Sequence, residues 1–275
     1  MEPFAQPSGP LNWIETLARL PIFTVVMAMA VFTAIRLVTY PFQNRFARFL
    51  NNLLDAVVYA GILVYLIIRP YLVQPFYIPS ESMLPTLKVG DVVMVGKFSY
   101  LIGEPKRFDI VVFRAPDWAL NPWQVPGKTD FVKRLIGLPG DIVEVKAGEG
   151  LYINGKRIEE PYINAVPQYS MKIINGTVYS YDSFGNIEKG DRNVMRAPVF
   201  DPEERSLVMR TPSQPIPKGK YLMLGDNRNA SSDSHHWGLL DAENVVGKAL
   251  FVFWPPQRIG AANRTPLPEV PPNAP

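Results

Sequence analysis

The N-terminal quarter constrains this chain more than any average composition does. Residues 20–35 run sixteen positions without a charge, and with the Arg36 guanidinium snorkelling aside the apolar run extends to Phe42. Coiled into a helix, such a run approaches the ~30 Å hydrocarbon core of a bilayer. A second run, residues 53–72, carries Asp55 near one end and Arg69 near the other, and is strictly uncharged over 56–68. It reads as a second transmembrane helix, with an interfacial or buried core helix as the alternative. No basic segment opens the first run, so it does not read as a cleavable signal peptide.

Charge outside these runs sets orientation and excludes some partners. Arg36, Arg45 and Arg48 flank the connection between the runs, against only Arg19 in the tail, so the positive-inside bias puts that connection in the cytoplasm. The expected layout is a tail over 1–19, spans over 20–42 and 53–72 around a cytoplasmic loop 43–52, and an extracytoplasmic domain over 73–254. A multi-pass protein of the plasma or inner membrane follows, in contact with lipid. The net charge of +3 over 275 residues, with no Lys/Arg stripe, argues against nucleic acid as a partner. With no Cys and only the adjacent His235 and His236, thiolate metal sites and cysteine nucleophiles are excluded.

The domain itself reads as mostly β, an antiparallel sheet. Short β-branched runs at 91–95, 109–113, 141–145 and 249–254 are separated by Gly, Pro and Asp, and no helical period runs far. Asn154-Gly155 signals a type I′ hairpin, and Leu138-Pro139-Gly140-Asp141 places Pro and Gly where a type II turn needs them. Residues of about 164–217 are polar and read as an irregular insertion. The tail 255–275 holds seven Pro in twenty-one residues and reads as an extended, mobile end.

Three segments carry chemistry. Pro79-Ser80-Glu81-Ser82-Met83-Leu84-Pro85 sets two serines on a rigid, non-helical backbone directly after the membrane runs. In Asp130-Phe131-Val132-Lys133-Arg134, strand alternation puts Phe131 and Lys133 on one face and Val132 and Arg134 on the other, so one basic group can point inward among apolar neighbours. Gly225-Asp226-Asn227-Arg228 opens a polar loop through Ser231, Asp233 and His235. That loop is not a calcium site, because Arg228 stands where an EF-hand needs an oxygen ligand. No metal or other cofactor is expected.

In this order, and behind these apolar runs, the three segments resemble the bacterial type I signal peptidases, membrane-bound serine proteases that remove signal peptides from secretory preproteins. The resemblance covers about 73–254. It implies Ser82 as nucleophile and Lys133 as its general base, with Ser80 and Ser82 at the oxyanion and Ser231 orienting the lysine amine. It also implies small-residue pockets shaped by Ile78 and Val132 beside Phe76, structural support from Asp226, Arg228, Asp233 and His235, and cleavage after Ala-x-Ala.

One position departs from the pattern: the family usually has Arg two residues after the aspartate matching Asp233, and here that residue is His235. Either His235 pairs with Asp233, or it is exposed and contributes little. The Ser-Lys pairing is also chemically economical, since a serine needs a base and both histidines sit together in one loop. Such a lysine must lose about three units from its usual ~10.4, which requires a dry site. The rival acyl-serine enzymes need Ser-x-x-Lys or Gly-x-Ser-x-Gly, and neither occurs. The non-enzymatic alternative is a tethered β-domain that binds exported or envelope proteins.

Overall fold

The computed structural model describes residues 20–42, 44–100, 102–122, 124–191 and 194–270, so the tail 1–19 lies outside the described residues. Helix α1 (Ile22–Thr39) and helix α2 (Arg45–Ile62) pack together, and α2 continues through wider π-type turns over Leu63–Leu72 into the first strand. The loop expected over 43–52 is shorter than the charge pattern suggested. Asn44 caps α2 by accepting from the Ala47 N–H (2.6 Å), and the arginines at 45 and 48 ride in its first turns between apolar residues. Arg36 is not left to snorkel, because its Nε lies 2.7 Å from Asp55 Oδ1. Of the three charges within the apolar runs, Arg36 and Asp55 therefore neutralise each other. Gly61 permits this close approach: a β-carbon there would stand 2.9 Å from Met29 Sδ. Among the described residues, 45–66 form the one helix long and apolar enough to cross a bilayer, and 23–39 form a shorter apolar helix.

The remainder is two antiparallel sheets. The first takes β1 (Val73–Tyr77), β2 (Val92–Gly96), β3 (Ile110–Arg114), β4 (Asp130–Gly137), β12 (Lys220–Leu224), β13 (Leu240–Asp241), β14 (Val245–Trp254) and β15 (Gly260–Ala261) in the order β1-β2-β14-β3-β4-β12-β13, with β15 on β14. The second takes β5 (Val143–Lys146), β6 (Gly150–Ile153), β7 (Lys156–Ile158), β8 (Ser170–Ile174), β9 (Thr177–Tyr181), β10 (Ile187–Asp191) and β11 (Val194–Pro198) in the order β11-β10-β9-β8-β5-β6-β7. The sheets are joined where β4 turns into β5. There Gly140 takes φ 88° and the Asp141 N–H closes on Leu138 O at 3.0 Å, the turn that Pro139-Gly140 signalled. Asn154 and Gly155 both take positive φ, 52° and 78°, as a type I′ hairpin requires.

Two sequence expectations are corrected here. The segment of about 164–217 is not irregular: it supplies β8 to β11 and helix α3 (Pro202–Arg210), and it buries its own small cluster of Ile174, Tyr179, Ile187, Val199 and Val208. Its strands show no two-residue polar alternation in sequence, because Lys172 and Ser180 are themselves buried beside apolar neighbours. The Pro-rich tail is also anchored through its described part. Arg258 makes two bonds to the Asp91 carboxylate (2.7 and 2.8 Å), β15 pairs with β14, and Ala262 is buried. Proline content forbids a core of the tail's own, yet it does not prevent docking onto an existing sheet edge.

Candidate active site

Ser82 sits in the turn after β1, at the level where the chain leaves the sheet. Met83 and Leu87 anchor that turn in an apolar cluster with Ile78, Val93, Val95, Ile110 and Val112, against which Phe76 and Val132 pack. The three pocket residues read from sequence, Phe76, Ile78 and Val132, are thus brought to one place beside the serine. From Arg134 onward β4 pairs with β12, whereas over Asp130–Lys133 the only strand paired with it among the described residues is β3. The free edge of that stretch adjoins the serine turn.

Lys133 reaches Ser82 from β4, with Nζ 2.7 Å from Ser82 Oγ. Ser80 Oγ stands 3.3 Å from the same oxygen. The lysine is buried, 5% exposed, with its amine over the Phe131 ring. Burial lowers its pKa from 10.5 to about 8, against the opposing pull of the Asp233 and Asp226 carboxylates. The dry surroundings expected from sequence are therefore present.

The depression has a stability consequence. Because the folded value near 8 lies below the unfolded ~10.4, the unfolded chain holds more protons between them, and stability rises with pH across that window. Below it the buried ammonium costs about 3 kcal/mol. Lys133→Met removes this cost and loses one hydrogen bond of about 1 kcal/mol, so the variant should be about 2 kcal/mol more stable at pH 7, with the gain fading toward pH 10 to 11. Denaturant melts of the two proteins across pH check this, and a variant no more stable than the parent at pH 7 contradicts it.

Behind Ser82 lies the 225–235 loop. Gly225 is required there because a β-carbon would fall 2.5 Å from Ser82 O and 2.2 Å from Ser231 Oγ. Asn227 clamps the serine turn, its N–H donating to Ser82 O (3.1 Å) and its Nδ2 to Glu81 O (3.2 Å). Asp226 accepts from Thr86 Oγ1 (2.5 Å) and holds Arg134 in a fork, Nε to Oδ1 at 2.7 Å and Nη2 to Oδ2 at 2.6 Å. Arg228 donates to both oxygens of Glu160 and to Gly225 O.

Asp233, fully buried, accepts from the Gly225 N–H (2.8 Å) and the His235 N–H (3.2 Å), and its Oδ1 lies 2.6 Å from His235 Nδ1. Burial alone would raise this carboxyl, but His235 and the Gly225 N–H outweigh it and hold Asp233 well below the usual carboxylate range. His235 is 6% exposed, so of the two readings left open by the sequence the paired one describes the geometry.

One expected contact is absent. Among the described residues Ser231 Oγ makes no hydrogen bond to the Lys133 amine; it is buried beside Gly225 and on the side of Asp233, whose carboxyl it helps to hold down. The sequence reading also passed over Thr86, Asn227 and Glu160. Thr86 and Asn227 lie inside or beside motifs already singled out, and their short polar side chains were the available signal. Glu160 is 68 residues from Arg228 and carried none.

Comparison with known proteins identifies the family. The family described as signal peptidase, peptidase S26, matches residues 50–254. A signal peptidase I of Leptolyngbya laminosa is 37% identical over 72% of this chain and 77% of its own length. A signal peptidase IB of Staphylococcus aureus is 39% identical over 69% of this chain and 82% of its own, and a signal peptidase I of Pseudomonas fluorescens is 34% identical over 71% and 70%. On residues 50–254 and on these identities, the chain that sets Lys133 against Ser82 belongs to the signal peptidase family, peptidase S26.

Proposed function

We propose that this protein is a membrane-bound serine endopeptidase that removes signal peptides from exported preproteins, with Ser82 as nucleophile and Lys133 as general base. The observation that carries the reading is the 2.7 Å contact between Ser82 Oγ and a buried amine whose pKa has fallen to about 8. Neutral Lys133 takes the hydroxyl proton as Ser82 Oγ attacks the scissile carbonyl. The ammonium so formed then gives that proton to the leaving amine, and water releases the acyl-enzyme with the lysine again as base. The Ser82 N–H and the Ser80 hydroxyl are suited to receive the oxyanion.

The preprotein binds extended along the edge of β4 over Phe131–Lys133, a mode in which main-chain hydrogen bonds give affinity and pockets for alternate side chains give specificity. Ile78, Phe76 and Val132 close those pockets to large side chains. The layout supports delivery from a membrane: α1 and α2 form a two-span anchor, their joining turn cytoplasmic and the β-domain on the extracytoplasmic side. The Arg36–Asp55 pair removes the main electrostatic objection to the first span.

Incubation of the detergent-solubilised protein with a precursor bearing Ala-x-Ala should create one new N-terminus directly after the second Ala. Replacing that Ala with Phe should lower kcat/KM by at least about 100-fold, since overlap with β-branched walls excludes more strongly than a missing methylene discriminates. Equal cleavage of the two precursors would refute the pocket assignment.

A further inference from the structure

The Asp233–His235 pair stands one residue behind the reacting groups. Asp233 Oδ2 accepts the Gly225 N–H, Gly225 packs so closely that a β-carbon on it would fall 2.5 Å from Ser82 O, and Ser82 Oγ meets Lys133. The imidazole is held from several sides. Its Nδ1 is on Asp233 at 2.6 Å, the Tyr169 ring stacks on it at 4.1 Å and 11°, and the His236 ring lies at 3.6 Å. Its outer side opens onto a cavity of about 520 Å³ that Tyr181, Asp182, Glu188 and Arg228 also line.

We propose that His235 is a positioning residue for Lys133, acting through Asp233: it sits on the carboxylate buried directly behind the Ser82–Lys133 pair, so the charge carried at residue 235 sets the pH at which the enzyme switches on. The inference rests on Lys133 as the base. Its sign follows from the charges. A carboxylate facing the lysine holds the proton on it, which delays activity to higher pH. A cation on that carboxylate removes the hold, and a neutral group at the same place restores it. Arginine at position 235 would keep a cation on the Asp233 carboxylate at every accessible pH, whereas glutamine would leave the carboxylate charge uncovered.

The other charges around the helical turn Ser234–Trp237 do not reproduce this effect. That turn packs on β9, β10, β11, β12 and the 3₁₀ turn Asp117–Ala119. Arg228 is committed to Glu160, Lys189 to Glu204 and Lys220 to Asp241. Asp117, Asp182 and Glu188 are the carboxylates of this surround, and none of them is altered in the variants compared below. His236, the imidazole beside His235, serves as the control.

Initial cleavage rates of the full-length enzyme in detergent, measured from pH 5.5 to 9.5, should place the alkaline rise of His235→Arg on the order of one pH unit below that of His235→Gln, with the parent at or between them. His236→Gln should keep the parent midpoint. Coincident midpoints for the Arg and Gln variants overturn the proposal. A second measurement does not depend on those variants folding. Coupling between sites is reciprocal, so Lys133→Met, which removes the lysine charge, should move the His235 ring titration upward by a comparable amount. With only two histidines in the chain, ring carbon-13 NMR reads this directly, and an unmoved His235 titration overturns the proposal equally.

Lys133→Ala in the same rate series separates the two ideas. If it is inactive while the Arg and Gln midpoints coincide, only the role of His235 fails. If it cleaves with an unchanged pH profile, the Ser-Lys reading itself fails.

Discussion

Ser82→Ala and Lys133→Ala are each expected to lower the single-turnover cleavage rate by at least about 10⁴-fold, and the double variant is expected to be hardly slower than either. The non-additivity is the informative part. The amine at 2.7 Å acts only on the Ser82 hydroxyl, so once the hydroxyl is gone there is no proton for the amine to take. Two independent contributions would instead multiply. The rates should be read with a radiolabelled or fluorescent precursor at saturating enzyme, so that binding differences drop out. Lys133→Ala retaining more than about a tenth of the parent rate would remove the lysine from the mechanism.

These two residues were legible in the sequence because each is framed by neighbours that restrict it. Pro79 and Pro85 bracket Ser82, and the alternation of Phe131, Val132, Lys133 and Arg134 requires the two basic residues to point to opposite faces. Both of them prove to be buried, Lys133 at 5% and Arg134 at 0% exposure, each with its own partner. What the pattern could not supply was the pairing across long sequence distances. Thr86 with Asp226 spans 140 residues and Arg228 with Glu160 spans 68, and neither leaves a local signature. Ser231 shows the opposite limit: the resemblance names its contact with the lysine, but among the described residues the hydroxyl makes no hydrogen bond to that amine and lies instead toward Asp233.

The fold divides the same way. The turns at Pro139-Gly140 and Asn154-Gly155 were readable because each demands a backbone conformation that few residues allow. Strands β8 to β11 were hidden because they are short and carry no two-residue period: β8 buries Lys172 and β9 buries Ser180 along with the apolar residues beside them. The helix start at Arg45 was missed because positive charge was read only as a topology signal. Asn44, the capping residue directly before it, was the available correction.

Asp226→Ala should produce the largest loss of stability, about 3 to 5 kcal/mol, because it leaves the Arg134 guanidinium buried without its counter-charge. Arg134 is 0% exposed and lies 3.9 Å over the Tyr162 ring, and its remaining partners are neutral acceptors, Phe108 O, Asn263 Oδ1 and Thr86 Oγ1. For a domain of this size the loss corresponds to a melting decrease of about 10 °C or more. Asp226→Leu combined with Arg134→Met should recover most of it, since an apolar pair of similar volume avoids the desolvation that the ion pair must offset. Turnover of the double variant then shows what the pair is for. Asp226 also takes Thr86, and its neighbour Asn227 donates to Ser82 O, so the fork joins β4, the serine turn and the 225–235 loop at a single point. Recovery of stability without recovery of turnover would assign the pair to the register between Lys133 and Ser82. Recovery of both would mean that filling the volume beneath the site is sufficient. A melting decrease under about 3 °C for Asp226→Ala would contradict the burial argument itself.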